Sequence, residues 1–315
     1  MALNKAGKIW MDGKWVAWDD AKIHILSHVA HYGTSVFEGI RAYDTPQGAA
    51  IFRLDEHVER FMFSARVYRM DKDLKVTKDE IRQACVDVVG LNELRECYIR
   101  PLIYRGYENL GVNPFGNPVN CAVAAFPWTQ YLGPDALQKG VAVKVGSWQR
   151  MAPNTLPAMA KAAANYMNSA LLKMEAKTDG YEEAIALDVY GFVSEGSGQN
   201  VFAVYKSELM TPPLTSSILA GITRDSVMAL AREMGITVRE DPMPREMLYL
   251  ADELFYTGTA VEVSPITSVD RITVGAGECG PITKKLQEAF FAIVKGKTPD
   301  RHNWLTPVPQ VARTR

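Results

Sequence analysis

Cysteine is scarce, and its placement builds nothing. Cys85, Cys97, Cys121 and Cys279 lie far apart with no CxxC spacing, which argues against a zinc site and a disulfide framework and suits a reducing cytosol. Excess charge of one sign is also missing. The 35 Lys and Arg residues stand against 36 Asp and Glu, a net charge of -1, so neither nucleic acid nor an anionic membrane is suggested as a partner. Long apolar runs are absent: stretches such as CAVAAFPW are far too short for a bilayer, and MALNKAGKIW carries no apolar core of signal-peptide length. A cytoplasmic protein without a membrane or nucleic-acid partner is expected. No internal repeat and no low-complexity segment interrupts the chain.

What is present is the balance of an ordinary globular protein, 47% hydrophobic and 23% charged over 315 residues, enough for about two domains. KIWMDGKWVAW places two apolar-aromatic runs around Asp12-Gly13, a hairpin signal. DEHVERFMFSARVYRM reads as an amphipathic helix with Val58, Phe61, Met62 and Ala65 on one face. A second helix starts at Thr77, with Glu80 completing a capping box. Strands at GTSVFEGIRAY, AAIFRL, CYIRPLIYRG and NCAVAAF complete a small α+β domain over residues 1–127. A Pro- and Gly-rich connection spans 128–140. A larger domain over 141–315 then holds strands at VAVKVGSW, EEAIALDV, FVSEG, NVFAVY and ELFYTGTAVEVSPI. Its helices are expected around Asn165–Lys177, over Thr223–Met234 with Gly235 as a stop, and at ITKKLQEAFFAIV. The tail after Pro299 reads as an irregular surface segment. The fold class is mixed, α+β with α/β elements, in two domains.

Three landmarks in the C-terminal two-thirds carry chemistry. Lys161 sits among small residues in PAMAKAAANY, where a bulky ring can approach its amine; a helix start with an exposed lysine is the bland alternative. Glu195 opens EGSGQN between a strand and a glycine-flanked turn. A carboxylate there can keep a pyridine nitrogen protonated, or be a solvated turn residue. Gly221-Ile222-Thr223 precedes a helix, where backbone N–H groups and a hydroxyl make an anion site, or where a threonine caps in the ordinary way. EGSGQN fits neither GxGxxG nor a Walker loop.

The order and spacing of Glu195, Ser197, Asn200-Val201-Phe202, Leu209, Thr211, Leu219, Gly221-Ile222 and Arg224 resemble the class IV aminotransferases, pyridoxal-phosphate enzymes of fold type IV. HYGTSVFEGIRAY and CYIRPLIYRGYENLGV resemble the branched-chain amino acid aminotransferases, and the likeness covers nearly the whole chain to Asn303-Trp304-Leu305. The resemblance implies pyridoxal 5'-phosphate, with Lys161 as the catalytic amine that condenses with it. It implies Tyr166 on the cofactor 3-hydroxyl, Glu195 on the ring nitrogen, and Leu219, Gly221, Ile222, Thr223, Thr259 and Arg60 about the cofactor and its phosphate. Position 220 is alanine, where relatives often carry proline; little change in affinity is expected. The substrate residues implied are Phe37, Gly39, Arg41, Tyr98, Arg100, Trp128, Tyr131, Thr259 and Ala260. Tyr32, Leu110 and Val112 match positions lent by a neighbouring subunit of a homodimer or hexamer.

The implied reaction moves the amino group of Leu, Ile or Val to 2-oxoglutarate by a ping-pong route. A D-amino acid aminotransferase, an (R)-amine transaminase and aminodeoxychorismate lyase are the nearest alternatives. From other classes, Glu195 and Glu262 could be a hydrolase carboxylate pair, or the protein a non-catalytic binding module; both would be colourless.

Overall fold

The computed structural model describes residues 4–128, 132, 133 and 135–309. They fall into two compact units: Met1–Thr129 with Ala160–Ala164 and Ala292–Arg315, and Gln130–Met159 with Asn165–Phe291.

The first unit opens with the hairpin β1 (Lys8–Met11) and β2 (Lys14–Ala17). Asp12 and Gly13 both take left-handed φ values, 47° and 86°. A two-residue turn of this kind matches the twist of the flanking strands, and Asp-Gly adopts it at low cost. There follow α1 (His28–Tyr32), β3 (Ser35–Phe37), β4 (Ile40–Thr45), β5 (Gly48–Phe52), α2 (Leu54–Val67), α3 (Lys78–Leu91), β6 (Cys97–Arg105) and β7 (Val119–Pro127). The strands form an antiparallel sheet in the order β5-β4-β6-β7-β1-β2, with β3 also paired to β6. α3 starts with the expected reciprocal capping box of Thr77 and Glu80. Val36, Ile40, Ile51, Phe61, Ile81, Val88 and Ile99 are buried in one core. α2 buries Val58, Phe61 and Ala65 in that core as expected, while Met62 is only partly buried. Two polar residues, His57 and Ser64, share the buried face.

The second unit contains α4 (Ala136–Lys139), β8 (Val141–Val145), α5 (Tyr166–Thr178), β9 (Glu183–Leu187), β10 (Val193–Gly196), β11 (Asn200–Tyr205) and β12 (Glu208–Thr211). It continues through α6 (Ile222–Glu233), β13 (Val238–Glu240), α7 (Met247–Leu250), β14 (Glu253–Gly258), β15 (Glu262–Val269), β16 (Ile272–Thr273) and the start of α8 (Pro281–Val294). The sheet order is β10-β9-β8-β15-β14-β11-β12-β13, with β16 on β15. β8 runs parallel to both neighbours, and β12 to β13; the other pairs are antiparallel. The sheet is thus mixed in strand direction, within the mixed α/β class expected from the sequence. Gly235, at φ 73°, follows α6 in the left-handed conformation of a helix stop.

The chain does not stay in the second unit from 141 onward, as the sequence reading had it. Ala160–Ala164 belongs to the first unit, where Ala162 bridges to Val36. The tail is a second correction. Leu305–Pro307 (β17) pairs antiparallel with β5, and Trp304 packs edge-on against Phe52 at 5.7 Å. Three residues ending in proline show no period-2 pattern, so the pairing has no local signature.

Candidate active site

In the first unit, Lys161 lies outside any helix; a short 3-10 turn spans Ala163–Asn165 and α5 begins at Tyr166. Its N–H donates to Ser64 Oγ (2.9 Å), and its carbonyl accepts the Phe37 N–H (3.0 Å). Ala160 and Ala162 on either side are buried, so small side chains let this stretch run against β3. With both backbone polar groups held, the Lys161 amine projects beside the Phe37 ring, 4.9 Å from its centroid.

Arg60 stands on α2, and its guanidinium grips Glu38 with both Nε (2.7 Å) and Nη2 (2.9 Å). His57 Nδ1 also reaches the Glu38 carboxylate, at 2.8 Å. Glu38 is fully buried. Burial alone would push its carboxyl up, but the Arg60 charge, with hydrogen bonds from His57 and Arg60, outweighs this and holds it far below the ordinary carboxylate range. For His57 burial wins, and the imidazole is displaced downward toward the neutral form despite Glu38. Glu38, His57 and Ser64 were all missed from sequence. The polar residues on the apolar face of α2 were the available signal.

Around the proposed substrate residues, Tyr98 and Arg100 share a face of β6, as alternation requires. The Arg100 guanidinium lies over the Tyr98 ring (5.1 Å) and the Phe37 ring (4.6 Å). Trp128 packs on Tyr98 at 4.5 Å. Gly39 is needed by close approach, since a Cβ there would stand 1.8 Å from the Tyr98 hydroxyl. Phe37, Gly39, Tyr98, Arg100 and Trp128 are therefore gathered in one place. Arg41, opposite Tyr98 in register, turns its guanidinium to Glu96 (3.0 Å) and the Tyr43 ring. Tyr131 lies outside the described residues. Tyr32, Leu110 and Val112 are 41%, 58% and 83% exposed. His28 ties their two segments together: its ring packs on Tyr32 at 4.6 Å, and its Nε2 donates to the Gly111 carbonyl at 2.7 Å. Nothing in the sequence reading had singled out His28.

In the second unit, Glu195 ends up clamped and only 5% exposed, not solvated on a turn. One oxygen accepts from Arg150 Nη2 (2.8 Å), the other from the Leu219 N–H (3.0 Å) and Asn200 Nδ2 (3.1 Å). Asn200 Nδ2 also reaches the Leu219 carbonyl at 3.0 Å. Arg150, missed from sequence, is itself buried and donates to Asn168 Oδ1. Leu219 leads into α6, whose N-cap is Gly221 with no side-chain cap. Thr223 is thus inside the first turn and is not the ordinary cap considered from sequence. A Cβ at Gly221 would sit 1.9 Å from Asn200 Oδ1, so glycine lets the first-turn amides of α6 come up beside the Glu195 clamp. Arg224 anchors that turn from behind, donating to Thr211 Oγ1, the Pro212 carbonyl and Glu240. Tyr166 opens α5, and Thr259 and Ala260 form the turn between β14 and β15, all partly buried.

The second unit thus offers a fixed carboxylate and a helix N-terminus; the first offers a lysine amine and an arginine held by a buried glutamate. Comparison with known proteins gives this set a context. Residues 35–269 match the family model for amino-transferase class IV. The branched-chain-amino-acid aminotransferase of Salmonella typhimurium is 52% identical over 309 residues, 98% of this chain and 99% of that one. Among solved structures, the Escherichia coli branched-chain amino acid aminotransferase superposes with a TM-score of 0.94 at 52% identity, covering 97% of this chain and all (100%) of the other. The branched-chain amino acid aminotransferase of Thermobaculum terrenum, solved in its PLP-form, has a TM-score of 0.90 at 37% identity, over 96% of this chain and 99% of that one.

Proposed function

The chain belongs to the class IV aminotransferases, among the branched-chain amino acid aminotransferases, and from that premise we propose its residue roles and its amino acceptor. It transfers the amino group of branched-chain amino acids, with pyridoxal 5'-phosphate as cofactor. The finer reading is that 2-oxoglutarate accepts the amino group from Leu, Ile or Val, giving L-glutamate and branched 2-oxo acids in two half-reactions.

The residues present fit the cofactor. The clamped Glu195 carboxylate and the glycine-cleared first turn of α6 are what a cationic ring nitrogen and a phosphate call for. When bound, pyridoxal phosphate supplies the aldehyde that takes the amino group and the ring that takes up the electron pair left by the α-proton. Lys161 Nζ would hold it, and the amine, once released by the incoming amino acid, would take the α-proton and deliver it as general acid to the carbon that receives the amino group. Glu195 holds the proton on the ring nitrogen, and Arg150 and Asn200 hold Glu195. Gly221, Ile222, Thr223, Leu219 and Thr259 serve the phosphate side with Arg60, and Tyr166 the 3-hydroxyl. Phe37, Gly39, Trp128, Tyr131 and Tyr166 form the apolar side-chain pocket, Tyr98 serves the substrate α-carboxylate, and Arg41, Thr259 and Ala260 are further substrate residues. Arg100 receives the distal carboxylate of glutamate.

The observation that carries this reading is Glu195, a buried carboxylate held by Arg150, Asn200 and the Leu219 amide one turn before a glycine-capped helix. Mixing the protein with 2-oxoglutarate and each enantiomer of Leu, Ile and Val, and measuring L-glutamate, tests it. L-Leu, L-Ile and L-Val should give glutamate; production only from D-enantiomers or amines would favour the other fold type IV reactions.

Tyr32, Leu110 and Val112, exposed on one copy, serve the site of a neighbouring copy in a homodimer or hexamer; a fully active monomer by light scattering would contradict this. No helix among the described residues is long and apolar enough to cross a membrane, and we place the enzyme in the cytoplasm.

A further inference from the structure

We propose that Ser64 is a positioning residue for Lys161, its hydroxyl coupling the lysine backbone to the α2 turn that carries Arg60. Ser64 is fully buried. Its Oγ–H donates to the Arg60 carbonyl at 2.9 Å, and its lone pair accepts the Lys161 N–H at 2.9 Å. A buried helical serine often bonds back to the carbonyl four residues earlier simply to satisfy itself. The second bond sets Ser64 apart, because it ties together two residues 97 positions apart in sequence.

The contacts close into a ring. Phe37 N–H holds the Lys161 carbonyl. Glu38, the next residue, grips Arg60 through both carboxylate oxygens. The Arg60 carbonyl takes the Ser64 proton, and Ser64 takes the Lys161 N–H. The Glu38 and Ser64 side chains are wholly buried and those of Phe37, Arg60 and Lys161 partly so, and both backbone polar groups of the lysine are hydrogen-bonded into the ring. A long, flexible side chain can place its amine reproducibly only if its root is fixed, and misplacement of a reacting group by about 1 Å can cost roughly 100-fold in rate. The ring fixes that root on both sides.

This inference rests on the cofactor role of Lys161 proposed above. The test uses holoenzyme of wild type, S64A and S64C, with K161A as control. Three quantities are measured: the pH dependence of the visible absorbance of the cofactor on Lys161, single-turnover rates of the leucine and glutamate half-reactions, and Tm. In S64A the titration midpoint should move by about half a pH unit or more. Both half-reactions should slow by a common factor of roughly 10–100, with KM for leucine within about twofold. S64C should fall between, since a thiol is a weaker donor and acceptor. An unchanged midpoint and unchanged rates in S64A, or in S64C where S64A does not fold, overturn the proposal whatever happens to Tm, because a hydroxyl that only fills a buried turn would act on Tm alone. K161A separates the two levels. Loss of its visible band sustains the lysine assignment independently of Ser64, and retention of the band removes both that assignment and this inference.

Discussion

Arg150 and Glu195 form a buried ion pair, Nη2 to Oε1 at 2.8 Å, with both side chains under a tenth exposed. The two residues act on different quantities. Glu195→Gln removes the charge that serves the ring nitrogen and leaves Arg150 buried without a counter-charge. It should lower kcat by roughly 10²–10³-fold and stability by about 3–5 kcal/mol. Adding Arg150→Met to Glu195→Gln should recover most of the stability and none of the rate. Urea unfolding and steady-state kinetics on the single and double variants check this; an unchanged kcat in Glu195→Gln would make it a purely structural residue.

Arg100 makes no ion pair among the described residues and rests on the rings of Phe37 and Tyr98. An apolar pocket alone rejects glutamate, because an unpaired buried carboxylate is very costly, and a guanidinium fork suits that carboxylate. Arg100→Leu should damage the glutamate half-reaction by roughly 2–5 kcal/mol and the leucine half-reaction far less. Single-turnover rates decide; equal losses would take Arg100 out of the substrate site.

Glu38 gives a pH signature. Its carboxyl is held below the ordinary range in the folded state, so its stabilising contribution is complete above the unfolded value of about 4.3 and is lost as pH falls below that toward the native value. Glu38→Gln should cost about 3–5 kcal/mol at neutral pH by removing the buried charge to which Arg60 and His57 are bound. The gap between variant and wild type should narrow as the pH drops below about 4. Denaturant melts across pH 3–7 read this out; a gap independent of pH would mean that the carboxylate charge contributes nothing.

Gly221 is constrained by space and not by backbone angle, since its φ of -70° suits any residue while a Cβ would strike Asn200 Oδ1. Gly221→Ala should push Asn200 off Glu195 and cost about 1–3 kcal/mol of stability, with weaker cofactor binding. A cofactor titration of the apoprotein measures the second effect, and unchanged affinity would dissociate the α6 turn from the phosphate.

The local features of the fold were legible because their causes are local. Asp12-Gly13 specifies its turn through two left-handed residues, Thr77 and Glu80 cap each other three residues apart, and Gly235 stops α6. Lys161, Glu195 and the Gly221 turn stood out through resemblance joined to residue chemistry. The supports around them did not. Arg150 meets Glu195 across 45 residues, and Ser64 meets Lys161 across 97. The strand Leu305–Pro307 finds β5 through backbone pairing that leaves no mark on its own composition. The alanines around Lys161 stood out only as small neighbours of its amine, and nothing local marks Ala160–Ala164 as a stretch that joins the first unit beside β3.

The α-proton of L-leucine reports on Lys161 without passing through any later step. In deuterium oxide, with pyridoxal phosphate bound and no 2-oxo acid present, the wild-type protein should exchange that proton for deuterium, seen as loss of its NMR signal. K161A, loaded with the same cofactor, should exchange it roughly 10²–10⁴-fold more slowly. Exchange by K161A at the wild-type rate would contradict the assignment of Lys161 as the group that moves the proton.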